Sequence, residues 1–244
     1  MGVLYLISTP IGNLQDITLR AIKTLFEVDV IACEDTRRTG ILIETLSSAY
    51  NTLRGRNNQP PHKPRLLSYF EHNELRRIPE ILSLLQKGHT VALVSDAGTP
   101  AISDPGYKLI RECIRTKIPV SAIPGPSSVI TSLILSGLPT DKFFFLGYPP
   151  RKEGHRMKLF ENIKKSQEII ISTVILFEAP HKIVKTLEEL QQVFGDIHIV
   201  LCRELTKVHE EIRRERISDT LIHFEKITPK GECVLLFHLG RETK

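Results

Sequence analysis

Several common signatures are missing from this sequence, and each absence closes a route. No apolar stretch approaches the ~20 residues needed to span a bilayer, so no membrane association is expected. The opening MGVLYLISTPIGN carries no basic leader and runs straight into a loop, which reads as a buried first strand rather than a signal peptide. Cys33, Cys113, Cys202 and Cys233 lie far apart in or beside apolar segments, with no CxxC and no Cys/His ligand spacing. They are expected to be buried and reduced, as in a cytoplasmic protein. No glutamate or histidine pair has metal-site spacing, so no metal is expected. Neither GxGxxG nor GxxxxGKS/T occurs, which excludes the dinucleotide fingerprint and the P-loop. There is no internal repeat and no low-complexity tract.

What is present is a set of four Gly/Pro-centred loops, each placed where a strand-like apolar run ends. They are STPIGN (Ser8 to Asn13), VSDAGTP (Val94 to Pro100), IPGPSS (Ile123 to Ser128) and FEAPH (Phe177 to His181). Glycine lets a ligand approach the main chain closely and proline keeps the loop rigid. Open α/β sheets place ligands at the carboxyl ends of strands, so four such loops spread over the chain suggest one composite site. In VSDAGTP, Asp96 adds a carboxylate and Thr99 a hydroxyl, which suits an adenosine- or amino-acid-bearing ligand.

The 244 residues allow one large domain or two small ones, and a hydrophobic fraction of 41% supplies a substantial core. The net charge of +5 fits an anionic partner and equally an ordinary protein surface. Up to Ile123 strands alternate with helices, which argues a mostly parallel sheet covered on both faces. Within this half a short helix is expected over Ile41 to Leu46, followed by a solvated loop from Asn51 to Arg65. That loop holds Arg54, Arg56, Lys63 and Arg65 and no acidic residue. The second half has more strands per helix, as in a mixed sheet. The boundary is expected near Ile118 to Gly125, giving domains 1–120 and 121–244.

Charged residues also gather at strand ends. Asp35 and Arg37 follow VIAC, Glu71 to Asn73 follow LLSYF, Glu178 and His181 follow TVILF and Arg203 and Glu204 follow IVLC. Arg213 to Arg216 read as ordinary surface or a subunit contact.

With these residues in view, the chain resembles the ribosomal RNA small subunit methyltransferases that act on a cytidine ribose 2′-hydroxyl, within the tetrapyrrole-methylase-like superfamily. The resemblance covers essentially the whole chain. It rests on LYLISTPIGNLQDITLRA, EDTRRT, SYFEHNE, VALVSDAGTPAISDPGY, IPGPSSVITSLILSGLPTDKFFFLGYPPRK, FEAPHKI, CRELTKVHEE and KGECVLLF. It implies a two-domain α/β fold, with an N-terminal parallel sheet, a C-terminal mixed sheet and S-adenosylmethionine in the cleft between them. A homodimer and a substrate in the small ribosomal subunit, its 16S RNA, are implied as well. The cofactor contacts so implied are Pro10, Asp96, Ala97, Gly98, Thr99, Ser127, Ser128, Gly147, Tyr148, Phe177, Glu178, Ala179 and the turn at Gly231. Three features depart from the family pattern. Arg38 stands where the family usually has His, the Arg54 to Arg65 segment is long, and the chain stops after LLFHLGRETK where several relatives carry a small extension.

A 2′-hydroxyl is a poor nucleophile, so methyl transfer to it needs a group that accepts its proton. Glu204, Glu178 and Asp96 are the candidates, Glu204 being the one outside the implied cofactor shell. Arg37, Arg38, Arg203 and Lys207, with the basic segments Arg54, Arg56, Lys63, Arg65 and Arg151, Lys152, are candidates to hold RNA. Two rival readings share these residues: a methyltransferase of the same superfamily acting on a small molecule or a modified protein residue, and a ribosome-binding assembly factor without catalysis.

Overall fold

The structure, a computed structural model, describes residues 1–55 and 62–240. It divides into two compact units, Met1–Ser127 and Ser128–Lys244.

The first unit runs β1 (Leu4–Ile7), α1 (Leu19–Glu27), β2 (Val30–Cys33), α2 (Thr36–Arg54), β3 (Arg65–Ser68), α3 (Glu74–Gln86), β4 (Val91–Leu93), α4 (Tyr107–Arg115) and β5 (Val120–Ile123). The strands form one sheet in the order β3-β2-β4-β1-β5, every pairing parallel. Period-two alternation sorts their side chains onto two faces. Ile31, Cys33, Ala92 and Val94 join the core beside α1 and α2, while Val30, Ala32, Val91 and Leu93 join the core beside α3 and α4. With both faces covered, β2 and β4 are buried along their whole length, which is why they read as unbroken apolar runs. The chain leaves β1 and β2 toward one face and β3 and β4 toward the other. Neighbouring strands β4 and β1 therefore send their connections toward opposite faces, the switch point at which open α/β sheets bind ligands.

Two expectations shift here. The helix expected over Ile41 to Leu46 runs from Thr36 to Arg54. Asp35 starts it by accepting the Arg37 N–H at 2.8 Å, and Gly55, at φ 72°, stops it. Arg54 thus lies on the last helical turn, 5.7 Å above the Tyr50 ring, rather than in a loop. The expected boundary at 120/121 moves to 127/128, because Val120–Ile123 pairs with β1 as the edge of the first sheet.

The second unit runs α5 (Ser128–Ser136), β6 (Phe143–Phe145), α6 (Glu153–Ile169), β7 (Thr173–Glu178), α7 (Ile183–Phe194), β8 (His198–Arg203), β9 (Glu211–Arg216), α8 (Ile217–Lys226) and β10 (Cys233–His238). Its sheet has the order β6-β7-β10-β8-β9, parallel between β6 and β7 and antiparallel elsewhere. One face packs Val174, Leu176, Leu201 and Leu235 against α6, α7 and α8 through Phe160, Leu187 and Ile217. α5 covers β10. The edge strand β9 is charged at every position but Ile212, and Arg213 bonds Glu215 at 2.7 Å and Glu211 at 3.2 Å, which keeps an open edge polar.

All four cysteines are buried and free. Burial pushes the thiols up, to about 11 for Cys113 and about 12 for Cys202 and Cys233. Among the described residues no helix is long and apolar enough to cross a membrane.

The start of α1 offers a simple check of local design. Thr18 Oγ1 accepts the Ala21 N–H at 3.1 Å. Thr18→Ala leaves that donor without its cap and should lower unfolding free energy by about 1 kcal/mol in urea titrations.

Candidate functional site

In the first unit the loops following β1, β4 and β5 are tied to one another. Thr9 and Gly98 exchange two backbone hydrogen bonds, of 2.9 and 3.1 Å, between the loops after β1 and β4. Thr9 Oγ1 also donates to the Ser95 carbonyl at 3.1 Å. The Thr99 hydroxyl gives its single proton to the Pro126 carbonyl at 3.0 Å, so the Ser8 hydroxyl, 3.1 Å away, donates to Thr99. Two glycines let these backbones approach. A Cβ on Gly125 would lie 3.0 Å from Ser8 Cβ, and Gly98 sits at φ 82° with Ile11 only 3.3 Å from where its Cβ would be. The implied cofactor residues Pro10, Asp96, Ala97, Gly98 and Thr99 all lie on these two loops. Ser127 ends the first unit and Ser128 opens α5.

The loop after β2 joins the same edge. Asp96 accepts the Asp35 N–H at 3.2 Å through Oδ1 and the Arg38 guanidinium at 3.1 Å through Oδ2. Glu34 Oε1 in turn accepts the Asp96 N–H at 3.2 Å. Burial, reinforced by the Asp96 carboxylate, holds Glu34 above the usual carboxylate range. Sequence reasoning missed Glu34; its only signal was a glutamate at a strand end within EDTRRT. Arg37 and Arg38 do not stand free: the first pairs with Asp35 at 2.7 Å and the second with Asp96. The guanidinium beside Asp35 holds that carboxyl far below its usual range. Exposed pairs of this kind contribute little to stability.

Past β3, Asn73 closes its turn by accepting the Phe70 N–H at 2.8 Å and donating to the Ser68 carbonyl at 3.2 Å. It is a structural residue. Arg65 pairs with Glu80 at 3.2 Å, Lys63 is exposed, and Arg56 lies outside the described residues.

The second unit gathers its candidates along one edge of its sheet as well. Cys233 at the start of β10 stands in register with Glu178 on one side and Arg203 on the other. The turn ending at Glu232 therefore lies between the loops that follow β7 and β8. Gly147, at φ 65°, accepts the Phe177 N–H at 3.0 Å, and the Phe177 ring packs on Phe145 and Tyr148. Glu178 is only 4% exposed, and both its oxygens are engaged: Oε1 by the Ala179 N–H at 2.8 Å, Oε2 by the Thr186 hydroxyl at 2.6 Å. That arrangement makes it a brace for its own loop.

Arg203 is a brace too. It donates to Glu211 at 2.7 Å and to the Lys230 carbonyl at 2.5 Å. Glu204 adopts φ 49°, a left-handed conformation that a glutamate takes only when its surroundings enforce it. Its Oε1 accepts Lys207 Nζ at 2.9 Å and the Glu232 N–H at 3.1 Å. Burial pushes this carboxyl up, but the Lys207 ammonium and the Glu232 N–H outweigh it and hold the carboxyl below its usual range. Gly231, at φ 78°, has no room for a Cβ because the Glu204 side chain lies against it. A cavity of 490 Å³ opens beside this turn, lined by Arg203, Glu204, His209 and Lys230 among others. Arg151 and Lys152 are exposed on the turn before α6.

Two substitutions test these ties. Thr99→Val removes the hydroxyl that links three loops and should cost about 1 kcal/mol of stability. Gly231→Ala should cost ~1–2 kcal/mol, and adding Glu204→Ala should recover part of that loss by removing the clash. Additive losses in the double variant would refute the contact.

A family model described as Tetrapyrrole (Corrin/Porphyrin) Methylases matches residues 3–220. The chain is 44% identical over 242 residues to the "Ribosomal RNA small subunit methyltransferase I" of Thermotoga maritima, covering 99% of this chain and 100% of that one. It is 46% identical over 234 residues to the protein of the same name in Hydrogenobaculum sp., covering 96% and 94%. Among solved structures it is similar to a cobalt precorrin-4 methyltransferase, with a TM-score of 0.64, 19% identity and coverage of 96% and 94%. A diphthine synthase gives a TM-score of 0.65, 15% identity and coverage of 97% and 90%. At those identities the likeness is one of fold.

Proposed function

Since the chain belongs to the tetrapyrrole (corrin/porphyrin) methylase family, we propose that it methylates the ribose 2′-hydroxyl of a cytidine in the 16S RNA of the small ribosomal subunit. The observation that carries this reading is identity of 44% along the full length of a protein named for small-subunit ribosomal RNA. The solved tetrapyrrole and diphthine enzymes share far less sequence.

S-adenosylmethionine is the methyl donor and, when bound, supplies an electrophilic methyl group on a sulfonium. The strand-end loops suit such a ligand: main-chain groups stand at glycines where a Cβ would meet the facing loop, at Gly98 and Gly125. Pro10, Asp96 to Thr99 and Ser127 are the proposed cofactor residues of the first unit. In the second they are Ser128, Gly147, Tyr148, Phe177 to Ala179 and Gly231.

The protein's own task is to take the hydroxyl proton. Of the three carboxylates considered for it, Glu178 already accepts two hydrogen bonds and Asp96 anchors Arg38 and the Asp35 N–H. Glu204 also accepts two hydrogen bonds, from Lys207 and the Glu232 N–H, but both fall on Oε1, so its Oε2 is the proposed acceptor. The basic residues of the Arg54 to Arg65 and Arg151 to Lys158 segments are proposed to track the RNA backbone. The protein is further taken to act as a cytoplasmic homodimer, which sedimentation would check.

Incubation with labelled S-adenosylmethionine and small subunits from a strain lacking the native enzyme should place 2′-O-methyl label on a decoding-region cytidine. Label on free small molecules instead would refute the RNA assignment. Glu204→Gln should lower kcat by about 10²-fold with cofactor affinity unchanged. Because the Glu204 carboxyl is depressed, it stays ionised as pH falls through neutrality. The rate should therefore be flat from roughly pH 6 to 8. A titrating limb in that window would move proton acceptance to another group.

A further inference from the structure

The second unit buries an ion pair that neither the proposed chemistry nor ordinary packing requires. Arg156 on α6 and Glu189 on α7 are 5% and 4% exposed and meet through two parallel N–H···O bonds. Such a pair usually adds no stability over apolar side chains of similar volume. What apolar side chains could not do is donate hydrogen bonds, and Arg156 has further donors to give. Its NH1 donates to the carbonyls of Pro150 at 3.0 Å and Arg151 at 3.1 Å.

Those carbonyls belong to a turn short of donors of its own. Pro149 and Pro150 have no N–H, and the Lys152 carbonyl is already taken by the first turn of α6. Arg156 supplies the missing donors from below, and Glu189 fixes Arg156. Arg151 and Lys152 in the same turn are exposed, with no ion pair or side-chain hydrogen bond for either among the described residues. Elsewhere Arg37, Arg38, Arg65, Arg203 and Arg213 all lean on carboxylates of this chain.

We propose that Arg156 and Glu189 are positioning residues. They hold the Pro149 to Lys152 turn so that Arg151 and Lys152 meet adjacent phosphates of the substrate RNA, an inference that rests on the RNA reading above. The guanidinium acts through the turn and touches no reacting atom.

The test compares R156M/E189L, R156K and R151A/K152A with the unaltered protein in the methylation assay on small subunits across a salt series. In R156M/E189L the melting temperature should hold or rise and cofactor affinity should stay within twofold. KM for subunits should climb about tenfold at nearly constant kcat, and the slope of log affinity against log salt should flatten by about 1–2. R151A/K152A should reproduce that KM and slope. R156K, which keeps the charge but lacks the forked donors, should fall between. If R156M/E189L melts lower while keeping the original KM and slope, the pair is only structural and the inference fails. If the apolar variant does not fold, unchanged KM in R156K and R151A/K152A overturns it equally. Should the unaltered protein neither methylate nor bind subunits, the RNA reading itself falls and takes the inference with it.

Discussion

The hydroxyl chain from Ser8 through Thr99 to the Pro126 carbonyl, beside the Thr9–Gly98 bridge, is the constraint on which the first unit's site depends. A parallel sheet ends in loops that leave for opposite faces, and nothing in the strand ladder keeps them together. Two hydroxyls and a pair of backbone hydrogen bonds do so here, and they join segments more than eighty residues apart. The glycines at 98 and 125 follow from that closeness, since a Cβ would fit only tightly at either and the positive φ of Gly98 adds strain for any other residue. Asp96 extends the network to the head of α2, so four strand ends share one connected edge.

The second unit solves a similar problem with charge rather than hydroxyls. Arg203, Glu204 and Lys207 draw the turn before β10 against the end of β8, and Glu178 steadies the end of β7. Residues that look catalytic in a sequence thus spend much of their hydrogen-bonding capacity on the backbone. The strained φ of Glu204 and the positive φ of Gly231 belong together, because each conformation needs the other's compactness.

Much of the fold was legible because its signals are local. Buried parallel strands read as apolar runs, and Gly/Pro loops mark their ends. The length of α2 was less visible: Leu46, Tyr50 and Leu53 do continue the Ile43 face at helical spacing, but they are scattered among polar residues, and the stacking of Tyr50 on Phe26 at 4.4 Å is a contact that no local pattern encodes. The placement of Val120–Ile123 was equally hidden, since only pairing with β1 assigns it to the first sheet. At the site, residue types and loop positions could be read, but partners could not. Glu178 and Arg203 stand where a sequence places reactive groups, and only three-dimensional neighbours reveal them as braces. Glu34 escaped notice for the opposite reason: its altered acidity arises from burial beside Asp96, which is 62 positions away.

The burial of the cysteines has a chemical meaning for a protein that handles an alkylating reagent. A sulfonium methyl reacts fastest with soft anionic sulfur, and the thiolate rather than the thiol is the nucleophile. With Cys113, Cys202 and Cys233 held near 11 to 12 and all four thiols enclosed, almost no thiolate exists at neutral pH. Enclosed and protonated, the cysteines are poor competitors for the methyl group, leaving oxygen on an incoming substrate as the nucleophile worth activating.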